Sequence, residues 1–443
     1  MAQMSYTVEE VFTPTSQATV NFVDRAEIEV RLTNALKTPG KQVVVYGESG
    51  SGKSTLLQKT LREIYGAVVT TRCNHSTTFG ELLLDAFDQL DAFYTDSRTT
   101  ELAATTSGSI EAQFLQAKAA VEAAETETVG ATARRVVPAQ ISPQRLGRFL
   151  GAKEVCWVIE DFHKVEPGEK LLLAQTLKIF SDLAATFPRL RIVAIGATDT
   201  AREVVEYDNE MRNRVAEIHV PLMTPPELEK ILTKGGGLLN VRFDKISKQI
   251  VSFSSGLASV THHLALNASR AADITGTQSI QKVLLDGDME KTLDTYIAES
   301  SDTLRARFEQ ALRRERERKF HNTELTVRAI AAGPFEGMTH AAILASIRQQ
   351  HSDYPSSNAT TYLNKLQDEE RGSLIRKSSS GQFRFVDPVL HSYARAVYKI
   401  QTAPEPGVSE LTVKLDKLIS ERFQLVWNGA DQPKFTITRT RKG

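Results

Sequence analysis

The chain has 443 residues, which is too long for one hydrophobic core and predicts two to four domains. Hydrophobic residues make up 41% of the chain and charged residues 24%, as in globular proteins that fold in water. Lys plus Arg number 54 and Asp plus Glu also number 54, so bulk electrostatic coating of nucleic acid is excluded, whereas a local basic face is not. Because no apolar run of about 18 residues and no signal-peptide pattern occurs, we expect a cytoplasmic protein without a membrane partner.

The two cysteines, Cys73 and Cys156, stand far apart in apolar or strand-like surroundings. Two such residues build neither a disulfide framework nor a cysteine metal cluster. We therefore predict two buried free thiols.

The first half of the chain alternates short apolar runs with helical patterns. This order is typical of an α/β fold in which a parallel sheet carries helices on both faces. The predicted strands cover residues 42–46, 67–71, 155–159, 191–196 and 216–220. Between the second and third strands, residues 99–140 are rich in Ala, Thr, Glu and Ser, which indicates an insertion with one surface helix.

After residue 221 the strands are predicted to stop. Helical patterns run from 225 to about 300, with predicted breaks at the glycines 235–237 and at 254–256. A charged helix is predicted over 303–319.

Residues 323–400 show three helical patterns, the second over 340–350 and the third over 360–370. Short strands at 374–377 and 382–386 follow, joined by a Ser-Ser-Ser-Gly turn. This order predicts a winged-helix module. Residues 401–443 are interpreted as a linker and C-terminal tail.

A phosphate-binding loop follows the first predicted strand and precedes a helix predicted from residue 54. Its residues are Gly47, Glu48, Ser49, Gly50, Ser51, Gly52, Lys53, Ser54 and Thr55. Glycines let successive backbone N–H groups wrap around a phosphate, and the following helix adds the positive end of its dipole. Lys53 then reaches the β- and γ-phosphates, the Ser54 hydroxyl binds Mg²⁺, and Thr55 reaches the α-phosphate.

An acidic pair, Glu160 and Asp161, ends the third predicted strand. ATPases of this kind carry Asp first, for the Mg²⁺ shell, and Glu second, to orient the attacking water. Here the order is reversed, so Glu160 is assigned to the metal and Asp161 to the water. Because a displacement of about 1 Å costs on the order of a hundredfold in rate, we predict slow hydrolysis. After the fourth strand, Thr198, with Asp199 as second candidate, is expected between the acidic pair and the γ-phosphate.

With these motifs in order, the chain resembles AAA+ and STAND-type ATPases, close to the origin-recognition and archaeal-initiator group. The resemblance covers residues from about 10 to 400 and implies ATP as the nucleotide. It implies an ATP-binding domain over 1–221, a helical lid over 222–300 and a winged-helix domain over 301–400. Residues 21–25 resemble the segment that contacts adenine, which implies that Val23 and Arg25 bind the base.

Residues 211–222 resemble the stretch that carries the arginine finger of this family. The resemblance implies that Arg214 or Arg212 reaches the γ-phosphate held by a neighbouring copy, and hence that the protein self-associates. The lid departs from the family because no arginine follows Ser255-Gly256. His262 and His263 lie on the next helix, and we favour packed or capping histidines over nucleotide contacts.

Two functions remain open at this stage. In the first, ATP binding closes the lid and drives assembly, and the C-terminal module engages a partner or effector protein; ATPases of this resemblance serve antiviral defence. In the second, the protein is a DNA-engaging initiator, loader or transposition-type ATPase. The third helix of the winged-helix pattern has one basic residue and three acids, which argues against base readout. Positive charge on and near the wing allows weak DNA contact there; it comes from Arg371, Arg376, Lys377 and Arg384.

Overall fold

The computed structural model describes residues 5–90, 141–196, 211, 213–313 and 319–400. They divide into two compact units. One unit is Asp24–Pro221, and the other combines Met1–Val23 with Leu222–Gly443. The predicted insertion at 99–140 and the tail at 401–443 lie outside the described residues.

The chain starts with a short helix, α1 (Val8–Val11), that belongs to the second unit. The unit Asp24–Pro221 is built on a five-stranded sheet. Its strands are β1 (Gln42–Tyr46), β2 (Val68–Arg72), β3 (Cys156–Glu160), β4 (Arg191–Gly196) and β5 (Val215–His219). All neighbours pair in parallel, in the order β2-β3-β4-β1-β5, which confirms the predicted sheet. The bounds of β1 and β4 are those predicted, and the other three strands differ by one residue at each end because apolar runs do not mark where ladder pairing stops.

Helices cover both faces of this sheet. They are α2 (Ala26–Lys37), α3 (Lys53–Ile64), α4 (Phe79–Gln89), α5 (Pro143–Ala152) and α6 (Pro167–Leu183). Alternate strand residues such as Val44 and Trp157 share one core with α4, α5 and α6. Their neighbours Val43, Val45 and Val158, also buried, point to the opposite face, where α2 packs on β1, β5 and α3. Strands buried on both faces explain the continuous apolar runs.

Cys73 and Cys156 are both free and buried, as the sequence predicts. Burial raises the pKa of each thiol to about 12. Neither thiol is therefore reactive near neutral pH.

The second unit contains a helical region, which we define as residues 222–300. Its helices are α7 (Pro225–Leu239), α8 (Ser247–Ser254), α9 (Ala258–Ala271) and α10 (Asp286–Glu299). Contrary to the prediction, it also contains a short parallel pair of strands, β6 (Val241–Arg242) and β7 (Lys282–Val283). Two residues per strand are too few to give a sequence pattern.

The N-terminal segment packs on this helical region, although the sequence assigns it to the ATP-binding domain. Thr7 forms an antiparallel bridge with Gly276, and the amide N–H of Val8 donates to the carbonyl of Thr275. Val8, Val11 and Phe12 join the core of the helical region.

The predicted break at the glycines 235–237 is wrong, since α7 continues through them to Leu239. A Cβ on Gly235 would lie 2.6 Å from the Phe12 ring, and one on Gly236 would lie 2.4 Å from the carbonyl oxygen of Val241. These glycines therefore allow close packing inside a helix. The predicted break at Ser254-Ser255-Gly256 is confirmed, because Ser255 (φ 50°) and Gly256 (φ 80°) end α8 in left-handed conformation.

The C-terminal region, residues 301–400, has the predicted order of helices and hairpin. Its elements are α11 (Asp302–Leu312), α12 (Asn322–Ala332), α13 (His340–Gln350), α14 (Ser356–Lys365), β8 (Ile375–Lys377), β9 (Phe383–Phe385) and α15 (Pro388–Val397). β8 and β9 pair in antiparallel fashion around the predicted turn.

Two helix bounds in this region differ from the prediction. α11 ends at Leu312, whereas the prediction extends it to 319. The Arg371 guanidinium caps this end by donating to the carbonyl of Arg313 at 2.5 Å. α14 starts and ends earlier than predicted. Pro355 sets its start, and the acidic run after it forms a separate 3₁₀ turn, Glu369–Arg371. No helix in the described part of the chain has the length and hydropathy that crossing a bilayer requires.

Candidate nucleotide site

The phosphate-binding loop leaves the carboxyl end of β1, where ligands of open α/β sheets bind. Gly47 has φ 151°, and a Cβ there would lie 2.2 Å from the carbonyl oxygen of Val220. Gly52, the N-cap of α3, is left-handed with φ 91°. Side chains are excluded at both positions, and the loop backbone is thereby held close to the sheet edge.

The first turn of α3 is built to receive an anion. Gly52 offers no side-chain cap to the helix, and the first turn contains no acidic residue. Ser54 and Thr55 lie in this turn and are half-buried. Because the first N–H groups of a helix lack intrahelical partners, they bind phosphate oxygens well.

The buried hydroxyl of Ser51 indicates whether a phosphate fits this loop. Its side chain is fully buried, and its hydroxyl has no hydrogen-bond partner among the described residues. A buried hydroxyl without a partner costs about 1–3 kcal/mol. A phosphate oxygen in the loop would supply the missing partner, so the residues fit a nucleotide phosphate.

Lys53 turns its ammonium group back over the loop. Nζ donates to the carbonyl oxygens of Gly47 at 3.0 Å and Glu48 at 2.8 Å. Burial lowers the pKa of Lys53, while the carboxylates of Glu48 and Asp161 oppose this shift. The structure thus brings Lys53 and Asp161 close enough for their charges to interact.

The acidic pair lies where β3 ends. The Glu160 carboxylate accepts from Arg72 (Oε2 to Nε, 3.1 Å), which occupies the matching position at the end of β2. Asp161 is left-handed, with φ 58°, and its Oδ2 accepts from Lys164 Nζ at 2.7 Å. Each acid is therefore paired with a cation of the same chain.

The donor set also fits Mg²⁺ that arrives with a nucleotide. No group of three or more His, Cys, Asp or Glu side chains in the described ranges is arranged to hold a metal ion alone. Mg²⁺ bound to a nucleotide takes most of its ligands from phosphates and water and needs only one or two from protein. The Ser54 hydroxyl and the Glu160 carboxylate are the two that this chain would supply.

Other predicted site residues are engaged elsewhere or lie outside the described residues. Val23 is buried in the core of the second unit. Arg25 donates from Nη1 to the carbonyl of Pro221 at 2.9 Å. Arg214 pairs with Asp182 (Nη1 to Oδ1, 2.6 Å). The predicted residues outside the described ranges are Thr198, Asp199 and Arg212.

The two histidines of the helical region are packed against aromatic rings, which agrees with the interpretation favoured from the sequence. His262 is 5% exposed, and its Nδ1 accepts the amide N–H of Thr13 at 3.2 Å. His263 pairs with Glu299 through Nε2 at 2.8 Å.

Sequence reasoning missed His163, two residues after Asp161. Its Nδ1 is buried without a partner among the described residues. Burial lowers the pKa of His163, and the charges of Asp161 and Lys53 act on it in opposite directions. Its position just after the acidic pair, in the run Glu-Asp-Phe-His-Lys, is the sequence feature that could have identified it as a site residue. Arg72 and Lys164 were also missed, because nothing in the sequence pairs them with the acids.

Comparison with known proteins identifies this part of the chain. Residues 21–195 match the protein family described as AAA ATPase domain. No curated protein sequence matches the chain.

Solved structures with similar folds share little sequence with the chain. A Walker-type ATPase of Pyrococcus abyssi is 16% identical, with 87% of this chain and 99% of that chain covered and a TM-score of 0.49. The Aeropyrum pernix ORC2 protein, in ADPNP–ADP complexes, is 15% identical, with 93% and 98% covered and a TM-score of 0.46. The Thermotoga maritima RuvB Holliday junction branch migration motor is 13% identical, with 86% and 96% covered and a TM-score of 0.40. The match to the AAA ATPase domain family covers residues 21–195, which contain the phosphate-binding loop, the strands β1, β2 and β3 and the acidic pair at the end of β3.

Proposed function

We propose that the chain binds ATP with Mg²⁺ at the phosphate-binding loop, hydrolyses it slowly, and uses the nucleotide state to gate its assembly with further copies and with a partner protein. The main supporting observation is the buried hydroxyl of Ser51, for which the described residues offer no hydrogen-bond partner, in a loop that also contains Lys53. A nucleotide phosphate satisfies this hydroxyl and replaces the backbone carbonyls as the partner of the ammonium group.

Slow hydrolysis is supported by the ion pairs of the two acids. Before Asp161 orients a water molecule it has to exchange its contact with Lys164, and Glu160 has to share its carboxylate between Arg72 and Mg²⁺. Asp161 also has a shorter side chain than the glutamate that the resemblance leads one to expect. These features lower the rate by weakening water orientation rather than nucleotide binding.

Assembly is proposed because Arg214 lies on the surface in a pair that is easily exchanged. The side chains of Arg214 and Asp182 are 34% and 61% exposed. Exposed pairs of this kind contribute about 0–1 kcal/mol, so a neighbouring copy's nucleotide can compete for the guanidinium. Arg214, or Arg212 beside it, would then complete the site in trans.

A partner protein is favoured over DNA by the C-terminal region, which we interpret as a winged helix. Two cations of its hairpin cover aromatic rings: Arg384 lies 4.9 Å from the Phe335 centroid, and Lys377 lies 5.6 Å from that of Phe383. The exposed side chains of α14 include the hydroxyls of Ser357 and Thr361. The helix has one basic residue, Lys365. Such a face suits hydrogen bonding to protein better than a phosphate-lined groove. A role in antiviral defence follows from the resemblance alone.

DNA engagement, as an initiator, loader or transposition-type ATPase, is the second candidate. Arg376 and Lys377 on β8 lie beside Arg384 on β9 and give the hairpin a positive charge. This charge supports weak, salt-dependent contact with the DNA backbone.

The mass of the protein in solution tests both candidates. It should be measured without nucleotide, with ADP and with a non-hydrolysable ATP analogue, each with and without duplex DNA. Assembly with the analogue alone supports the switch, and Lys53→Ala should abolish it. Assembly that requires DNA would favour the second candidate, and a monomer under all conditions would contradict the proposal.

A further inference from the structure

The helix α15, the last in the described part of the chain, carries three buried polar side chains where the helical region meets the C-terminal region. His391, Ser392 and Arg395 are 1%, 0% and 7% exposed. A buried cation is costly unless hydrogen bonds replace its hydration. The hydrogen-bond partners of Arg395 therefore show which parts of the fold this helix connects.

Arg395 donates to main-chain carbonyls of both regions. Nη1 donates to Ser252 of α8 at 2.7 Å, in the helical region. Nε donates to Ala331 at 2.9 Å and Nη2 to Gly333 at 2.8 Å, both at the end of α12 in the C-terminal region. These oxygens belong to the last turns of two helices, where carbonyls lack intrahelical partners and carry the negative end of the dipole. One guanidinium group thus caps two helices from different regions.

The neighbouring polar residues extend this connection. The Ser392 hydroxyl donates to the carbonyl of Phe253 in α8 at 2.6 Å, and it lies 3.3 Å from the Tyr296 hydroxyl of α10. On the other side, His391 Nε2 lies 3.2 Å from the carbonyl oxygen of Ala331. We refer to His391, Ser392 and Arg395 with these partners as the α15 network.

The apolar residues of α15 are divided between the same two regions. Ala396 belongs to the core of the helical region. Leu390, Tyr393 and Ala394 belong to the core of the C-terminal region. Rotation of one region against the other would therefore separate packed apolar surface and strip the buried guanidinium of its carbonyls. Both costs oppose a hinge at this place.

We propose that α15 joins the helical and C-terminal regions into one rigid body, with Arg395 as the residue that locks them. A displacement of the helical region then carries the C-terminal region with it. This proposed rigidity does not rest on the proposed ATPase function.

Distance measurement between spin labels tests the rigidity without nucleotide. Labels at Lys230→Cys in α7 and Gln349→Cys in α13 lie at exposed positions, one in each region. The two native thiols are buried, with pKa values raised to about 12, and react poorly with the label. We expect a single narrow distance distribution in the parent protein and a broad or multiple one with Arg395→Ala.

The matched control is Arg348→Ala, because Arg348 also donates to a carbonyl, that of Tyr354, but within the C-terminal region. It should keep the narrow distribution. If Arg395→Ala does not fold, Arg395→Lys and Ser392→Ala replace it, and each should broaden the distribution because it removes one or more bonds between the regions. A broad distribution in the parent protein, or a narrow one in every folded variant of the α15 network, would overturn the proposal. Since no nucleotide is present, either result is independent of the proposed ATPase function.

Discussion

The side chain of Gln89 binds the backbone of Thr70 as a neighbouring strand would. The amide N–H of Thr70 donates to Gln89 Oε1 at 3.0 Å, and Gln89 Nε2 donates to the Thr70 carbonyl at 2.8 Å. Thr70 lies at the centre of β2, which is an edge strand of the sheet. Unpaired edges are templates for aggregation, and Gln89 blocks this one at its middle.

Replacing Gln89 should therefore expose the edge. We expect Gln89→Ala to lower the free energy of unfolding by about 1–2 kcal/mol, because it removes the two hydrogen bonds to Thr70 and an exposed third one to Asp85, and to cause concentration-dependent aggregation. Chemical denaturation and light scattering measure the two effects. Gln89→Glu places a carboxylate where Nε2 faced the Thr70 carbonyl and the Asp85 carboxylate, so it should lower the free energy of unfolding at least as much as Gln89→Ala. Equal scattering by Ala and parent proteins would show that Gln89 does not protect the edge.

Two glycines of α7, Gly235 and Gly237, should respond in opposite directions to alanine. A Cβ on Gly235 would meet the Phe12 ring at 2.6 Å, whereas one on Gly237 has no heavy atom within 4 Å. Gly235→Ala should destabilise the second unit by roughly 1–3 kcal/mol through overpacking. Gly237→Ala should stabilise it by about 0.5–1 kcal/mol because alanine favours the helix. Urea unfolding followed at α7 checks both values, and destabilisation by both variants would contradict the packing argument.

Stability should depend on pH through His262. Burial lowers the pKa of His262 from 6.5 to about 4, and its neutral Nδ1 accepts the Thr13 amide. Between these values the unfolded chain binds a proton that the folded chain does not. The contribution of neutral His262 to the free energy of unfolding is therefore complete above pH 6.5. It is lost as the pH falls towards 4, by about 1.4 kcal/mol per pH unit.

His262→Asn removes this titration and should flatten the pH dependence of unfolding over that window. His391, whose pKa burial lowers to about 3, leaves a residual slope of the same sign. Denaturation curves at several pH values measure the slope. An unchanged slope in His262→Asn would mean that other groups control acid sensitivity.

The proposed roles of Lys53 and Asp161 predict that nucleotide binding and hydrolysis can be lost separately. Lys53→Ala should abolish nucleotide binding, because the loop loses the ammonium group that faces the β- and γ-phosphates. Asp161→Asn should keep binding within a few-fold and lose hydrolysis, by about a hundredfold or more. Calorimetry and phosphate release measure the two quantities. Turnover that survives in Asp161→Asn would exclude Asp161 as the residue that orients water.

Arg72 should influence the metal rather than the fold. Its side chain is 79% exposed, so its pair with Glu160 adds about 0–1 kcal/mol to stability. Without this competing cation, we expect Arg72→Ala to bind Mn²⁺, in the presence of ADP, roughly two- to fivefold more tightly. Electron paramagnetic resonance of free Mn²⁺ measures the change, with Arg189→Ala, which removes an exposed pair with Glu154, as control. Weaker Mn²⁺ binding would show that Arg72 orients Glu160 for the metal.

The sequence predicts best where one short segment contains all of the information. The phosphate-binding loop, β1 and β4 are such segments, because local residue types determine their conformation. The continuation of α7 through Gly235 depends on Phe12, more than 200 residues away, and no local pattern contains that contact. The pairs Arg72–Glu160 and Arg214–Asp182 likewise join residues from different elements, so only the folded chain shows that these candidate site residues are already engaged.

The packing of residues 6–12 on the helical region determines when these residues can be buried during synthesis of the chain. The amide N–H of Tyr6 donates to the Thr277 hydroxyl, 271 residues further along the chain. At roughly 5–20 residues per second, a ribosome needs tens of seconds to reach that partner. By then the residues of the unit Asp24–Pro221 have all been synthesised. Val11 and Phe12 remain exposed until the residues that form their hydrophobic core have also been made. This apolar segment is thus buried only after residues far along the chain have been synthesised, and a chain truncated after Pro221 would leave it exposed.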